Sequence, residues 1–359
     1  MKIFGIFSIG LLFLFLLTGC PNSNKFKYHS AWFSFKPHNL TGVNSEYDDY
    51  NSALPEVHFG KKLIFSSNRT SKGNDFDIYD GNFRATWYME NGTLEVDNNS
   101  NTMIDYTFYS KELLEIVDKN GDQFGPYAIG FDSTINDHPN RVGFLAYSTS
   151  GGTYSFHSEF VYYTTPDDGA TFELHGPDTI PFLGDPRRQQ YISFYSPQIS
   201  SIDRWELNPD LFTEMYFDKT GHNNKSNIYK IDIPDTLNFI SFLSTDNEYV
   251  NTKVDALSSE YNDRCPFVNG QFMVFTSDRP GGYGGYDLYY SRLENGKWSQ
   301  PVNFGEDINT EFDEFRPVVV QVDELENDLM IFSSNRPGGL GGYDLYYVGI
   351  DKIEPIYIE

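Results

Sequence analysis

FMVFTSDRPGGYGGYDLYYSRL, residues 272–293, returns at 329–350 as LMIFSSNRPGGLGGYDLYYVGI. Two near-copies in one chain make repetition the first feature to explain. A third copy, LIFSSNRTSKGNDFDIY at 63–79, keeps the unit with an altered glycine loop. Weaker copies are LAYSTSGGTYSFHSEFVYY (145–163) and EMYFDKTGHNNKSNIYKIDI (214–233). Each begins with a run of apolar, β-branched and aromatic residues, which reads as a buried strand. A cluster of Ser, Asn, Asp, Arg, Gly and Pro then reads as a tight loop, and a second aromatic strand follows. A further strand leads into three of the units: NSEYDDYNSALPEV (44–57), SSEYNDRCPFV (258–268) and NTEFDEFRPVVV (309–320).

Spacing turns these units into an architecture. Aligning the aromatic that ends the first strand of each copy gives Phe65, Tyr147, Phe217, Phe275 and Phe332, at intervals of 82, 70, 58 and 57 residues. The segments outside this frame, 20–65 and 332–359, supply about one interval more. Trp298 stands 11 residues before Asn309, and Trp32 stands 12 before Asn44. The N-terminal segment therefore carries the strand that the last copy lacks. A ring of four-stranded sheets closed by a strand from the other terminus leaves no exposed edge. The expectation is an all-β fold, a β-propeller of five blades over 31–359. The long first interval implies an insertion near 98–127, read as an extra hairpin; a six-bladed ring with a blade hidden there is the rival geometry.

Composition excludes several classes. The 359 residues carry 26 Lys+Arg against 51 Asp+Glu, a formal charge of −25, so a polyanion such as nucleic acid is repelled. Aromatic residues make up 17%, far too many for an acidic disordered chain. Two cysteines in a chain of this length exclude a disulfide-stapled scaffold.

The first twenty residues, MKIFGIFSIGLLFLFLLTGC, read as a leader. Lys2 precedes an apolar run too short for a span of about 20 residues and suited to a signal peptide. Its end, LTGC at 17–20, resembles the bacterial lipoprotein signal, in which the Cys is lipidated and becomes the new N-terminus. This implies a signal peptide at 1–19, a lipidated Cys20 with a short tether at 20–30, and anchoring by acyl chains to a bacterial outer membrane. PNSNKFK at 21–27 lacks an acidic cluster, which favours the periplasmic face over the cell surface. Cys265 remains as a small residue at a strand start.

SSNRPGGLGGYDLYY (333–347) and TSDRPGGYGGYDLYY (276–290), with the lead-in NTEFDEFRP (309–317), resemble the TolB-type, WD-like β-propeller repeat of Bacteroidetes envelope lipoproteins. The likeness is close over 258–350, good over 44–80 and weak over 84–250. It implies an interaction module rather than an enzyme, although a fold alone does not decide function. TPDDGATF at 165–172 is similar to the Asp-box hairpin of sialidases, a structural element.

Candidate chemistry is sparse. Arg69, Arg279 and Arg336 recur at one place in three copies, and the expectation is that each pairs with its own copy's Asp77, Asp287 or Asp344. DKNGD at 118–122 alternates oxygen ligands, but residue 129 is Ile where a calcium loop needs an acid, so it reads as a turn. The seven His residues have no zinc spacing, and neither metal nor cofactor is expected. Paired acids abound, but no catalytic pair stands out from sequence. What remains is a rim where the lead-in and glycine loops meet, with Tyr47, Asp48, Arg279, Tyr283, Phe312, Asp313, Arg336 and Leu340 as candidate binding residues. The expected function is a non-catalytic, protein-binding scaffold acting as a monomeric ring. The alternative is a glycan-binding protein or a glycoside hydrolase with a propeller active site.

Overall fold

The computed structural model describes residues 30–353 apart from 55–59, 99–107, 109, 118–119, 136–137, 152–154, 167–170, 186, 200–206 and 222. The leader, Cys20 and the acids of the 165–172 hairpin lie outside the described residues.

Five antiparallel sheets form five blades. The first blade runs Asp49–Ala53, Gly60–Ser67, Asp77–Tyr88 and Thr93–Asp97. The second has the longest strands, Gln123–Ile135, His138–Gly151, Ser155–Pro166 and Glu173–Asp185. The third comprises Ile192–Tyr195, Glu214–Thr220, Ser226–Asp232 and Thr252–Lys253. The fourth comprises Asp263–Asn269, Phe272–Ser277 and Asp287–Glu294, with Lys297–Trp298 and Val302–Asn303 both on its outer edge. The fifth has Glu314–Val320, Asp328–Ser334 and Asp344–Ile350, and His38–Asn39 completes it. The aromatic frame holds: Phe65, Tyr147, Phe217, Phe275 and Phe332 all lie on second strands.

Two expectations about the ends of the frame need correction. The closing segment is seated by Phe33, 1% exposed, rather than by Trp32, which is 57% exposed although its spacing mimics that of the buried Trp298. Near 98–127 the described residues contain a helix, Ser110–Ile116, instead of a hairpin. Its Leu113 and the preceding Phe108 are buried in the cluster that holds Tyr163 of the second blade. The long strand Gln123–Ile135 of that blade accounts for further length in the interval.

The lead-in acids build the joints between blades. Arg69, Arg279 and Arg336 pair with Asp49 (2.5 Å), Asp263 (2.5 Å) and Glu314 (2.9 Å) on the inner strand, not with Asp77, Asp287 and Asp344 as expected. Each guanidinium also donates to a carbonyl of the lead-in loop, at Val43, Leu257 or Ile308, and lies over two rings of its own blade. Asp287 and Asp344 instead accept from the backbone of their glycine loops. Both acids of a copy flank the same serine, Asp49 and Asp77 across Ser67, Asp263 and Asp287 across Ser277, Glu314 and Asp344 across Ser334, so spacing alone does not choose between them.

Just before the inner strand of four blades, Asp48, Asp122, Asn262 and Asp313 reach the preceding blade. Their side-chain oxygens accept from the backbone N–H of Tyr343 (2.8 Å), Phe76 (2.8 Å), Ser226 (3.1 Å) and Tyr286 (2.9 Å). Asp122, the last acid of the DKNGD turn, is thus a blade-to-blade latch. A Cβ on Gly284 or Gly341 would run into backbone of the next lead-in loop, so only glycine permits this approach.

Asn44 and Asn309 extend the ladder with side chains. Asn44 accepts from the Leu345 N–H (2.9 Å) and donates to its carbonyl (2.9 Å), and Asn309 treats Leu288 alike (2.8 and 3.0 Å). All four residues are buried. Asn44→Ala leaves a buried N–H of the closing blade unpaired, and urea unfolding is expected to show a loss of about 1–3 kcal/mol.

Candidate functional site

The inner strands converge on the ring axis at the rim that carries the lead-in and glycine loops. Two sets of repeat-equivalent positions meet there. The first follows the glycine loops: Phe76, Phe156, Tyr286 and Tyr343, with Ser226 in the third blade. The second is the residue after the inner-strand acid, or after Gln123 and Gln190 in the second and third blades: Tyr50, Phe124, Tyr191 and Phe315, with Arg264 in the fourth blade. The rings interlock, Tyr50 standing 5.0 Å from Phe76 and 5.7 Å from Tyr343, and Phe315 5.4 Å from Tyr286.

A bulge follows the second set in four blades. There Asn51, Gly125, Cys265 and Arg316 take left-handed φ values of 59°, 59°, 55° and 51°. The third blade has none, and Tyr191 runs straight on into Ile192. A bulge re-aims the side chains on either side of it, which turns the aromatic set toward the axis. Gly125 is required by packing as well, since a Cβ there would lie 2.5 Å from the Tyr191 ring.

The result is a pocket of about 350 Å³ lined by Asp48, Tyr50, Phe76, Gln189, Arg264, Tyr286, Phe315 and Tyr343. That volume is at the small end for small-molecule sites. Arg264 is 7% exposed and paired with the buried Asp218, Nε to Oδ2 at 3.0 Å. Burial alone would lower its pKa, but the Asp218 charge holds it above the usual value. Its Nη2 donates to the Gln189 carbonyl at 2.9 Å, and its plane lies over Tyr191 and Phe315.

Burial raises the pKa of Tyr50 and Tyr286, and burial with the Asp313 carboxylate raises that of Tyr343. All three are therefore neutral phenols that can donate. Tyr343 donates to Asp313 Oδ2 at 2.8 Å. Asp48 is the carboxylate of the lining, and it is already bound to the Tyr343 N–H and to the Asn68 amide. A smaller cavity, about 170 Å³, lies between the second blade and the helix Phe239–Ser244.

Of the residues expected from sequence, Asp48 lines the pocket and Asp313 stands behind it, holding Tyr343. Arg279 and Arg336 are committed to the inner-strand acids of their own blades. Tyr283 and Leu340 are exposed at loop tips, at 47% and 51%, and Tyr47 and Phe312 belong to the lead-in loops. Tyr50, Phe76, Gln189, Arg264, Tyr286, Phe315 and Tyr343 were missed. Their signal lies in the aligned copies, where EYNDRCP has Arg264 against the aromatic of EYDDYNS and EFDEFRP. A site is where a repeat breaks its own rule.

No family model matches the chain, and no curated protein does. Solved structures similar to it include an α-L-arabinofuranosidase from Podospora anserina, 11% identical with a TM-score of 0.48, covering 91% of this chain and 98% of that one. A glycosyl hydrolase from Bacteroides ovatus is 9% identical with a TM-score of 0.43, covering 92% and 97%. An exo-β-1,3-galactanase from Clostridium thermocellum is 9% identical with a TM-score of 0.43; the match covers 90% of this chain and spans 63% of the length of that one. At these identities the likeness is one of fold.

The chain is a five-bladed β-propeller. The finer TolB-type, WD-like assignment gains no support from these comparisons. The expectation of a non-catalytic, protein-binding scaffold is corrected: the candidate site is an axial pocket of small-molecule size lined by aromatic rings, not an acidic-aromatic rim.

Proposed function

We propose that this protein binds a saccharide in the axial pocket. The observation that carries the reading is the lining itself: five aromatic rings face one small cavity together with Gln189, Arg264 and Asp48. A sugar ring has apolar faces and a hydroxyl perimeter. It suits a site in which flat rings supply contact area and a few fixed polar groups supply orientation. Among the described residues the Tyr50 and Tyr286 hydroxyls make no hydrogen bond, and Arg264 bonds through Nε and Nη2. These donors suit sugar hydroxyls.

Calorimetric titration with saccharides found on a glycan array tests the reading. Tyr343→Ala and Phe76→Ala are each expected to weaken binding at least tenfold, about 1.4 kcal/mol or more. Leu340→Ser, at an exposed loop tip, is expected to leave it unchanged. Loss of binding in Leu340→Ser with retention in both pocket variants would overturn the proposal.

For the leader we propose lipidation of Cys20 and anchoring to the outer membrane on its periplasmic face, supported by LTGC at 17–20. Membrane fractionation is expected to move a Cys20→Ala form out of the lipid-modified pool; an unchanged distribution contradicts the anchor. The TolB-type likeness of 258–350 belongs with this envelope reading.

A further inference from the structure

Beneath the pocket, Arg316 projects from the fifth blade into the ring axis. It is fully buried, and its Nη2 crosses to the Pro126 carbonyl of the second blade at 3.0 Å. Its guanidinium carbon lies 5.2 Å from the centre of the Tyr191 ring of the third blade. Nε and Nη1 are buried with no hydrogen-bond partner among the described residues. The amide of Asn51, at the equivalent bulge position of the adjoining first blade, is also buried with neither atom bonded.

No carboxylate among the described residues is bonded to this cation. Asp218, the acid acting on it from the neighbouring strands, is held by Arg264 and by the Tyr191 N–H at 2.7 Å. Cys265 and Tyr191, which also face it, have pKa values raised by burial and stay neutral. Burial pushes the Arg316 pKa down, whereas that of Arg264, beside its acid, is up. A guanidinium nevertheless keeps its proton in a protein, so a buried one with two unpaired N–H groups calls for a counter-charge beyond the shared Asp218. Water would satisfy N–H groups but leave the charge, and orphaned buried donors of this kind mark an ion or a water in structures generally.

We infer that the ring axis binds one small monovalent anion, chloride in kind, against Arg316 Nε and Nη1. The site is separate from the saccharide reading and stands without it. An anion that binds the folded state alone raises the melting temperature with its concentration. Thermal unfolding in chloride or bromide, with ionic strength held by gluconate, is expected to rise by several degrees from low to high halide. Arg316→Met is expected to fold with a melting temperature that halide does not move. Bromide-soaked crystals of the unaltered protein provide the second readout, independent of whether that variant folds. An anomalous peak within hydrogen-bonding distance of Arg316 supports the site. A halide-independent melting temperature, or diffraction with only water beside Arg316, overturns it.

Discussion

Replacing Arg264 by leucine is expected to lower the stability of the ring by about 3–5 kcal/mol. The substitution strands Asp218, whose carboxylate is 1% exposed and whose other bond is to the Tyr191 N–H. The cost comes from leaving a buried charge unpaired, more than from any net strength of the pair. The double variant Arg264→Leu/Asp218→Asn is therefore expected to recover much of the loss, because asparagine still accepts from Tyr191 without a charge to desolvate. Chemical unfolding of the two singles and the double supplies the cycle. A single-variant cost below about 1 kcal/mol, typical of surface pairs, would mean that the pair is not buried as described.

Removing the closing segment has the second large effect. A chain that begins at Asn44 loses His38–Asn39 from the edge of Asp344–Ile350, together with the buried Phe33, Leu40 and Val43. Each apolar side chain contributes about 1.5–3 kcal/mol on burial. The sum approaches the whole stability of an ordinary domain, about 5–15 kcal/mol. The exposed strand edge also becomes a template for pairing between chains. The truncated chain is expected to lose its cooperative melting transition and to associate, and a synthetic peptide of residues 30–43 added in trans is expected to restore part of the transition. A monomeric truncated chain with an unchanged melting temperature would show that the ring does not depend on this closure.

The ring was legible in the sequence because a blade is a local unit. Its strand pattern, its loop chemistry and the interval between Phe275 and Phe332 are all properties of neighbouring residues. The closing strand was legible for the same reason, although Trp32 misled: spacing counts residues along the chain but cannot say which of two adjacent aromatics, Trp32 or Phe33, faces inward. The Arg336–Glu314 pair was misread toward Asp344 because Asp344 is the nearer acid along the chain, whereas in the fold both acids flank Ser334 and Asp344 is taken by the N–H groups of Leu340 and Gly341. The axial site was the least legible part. Tyr50, Arg264, Phe315 and Tyr343 come from three blades, each looks like ordinary filling within its own copy, and only closure of the ring brings them to one cavity. The left-handed bulges at Cys265 and Arg316 leave no sequence mark either, since neither residue is a usual occupant of that region.

The most direct test of saccharide binding at the axis is a crystal structure of the protein with a saccharide that it binds. The predicted result is a sugar in the axial pocket, one face against the rings of Tyr343 and Phe76 and its hydroxyls within hydrogen-bonding distance of Arg264 and Gln189. A sugar seated on the loop tips at Tyr283 and Leu340, or in the smaller cavity beside Phe239, with the axial pocket left to solvent, would contradict it.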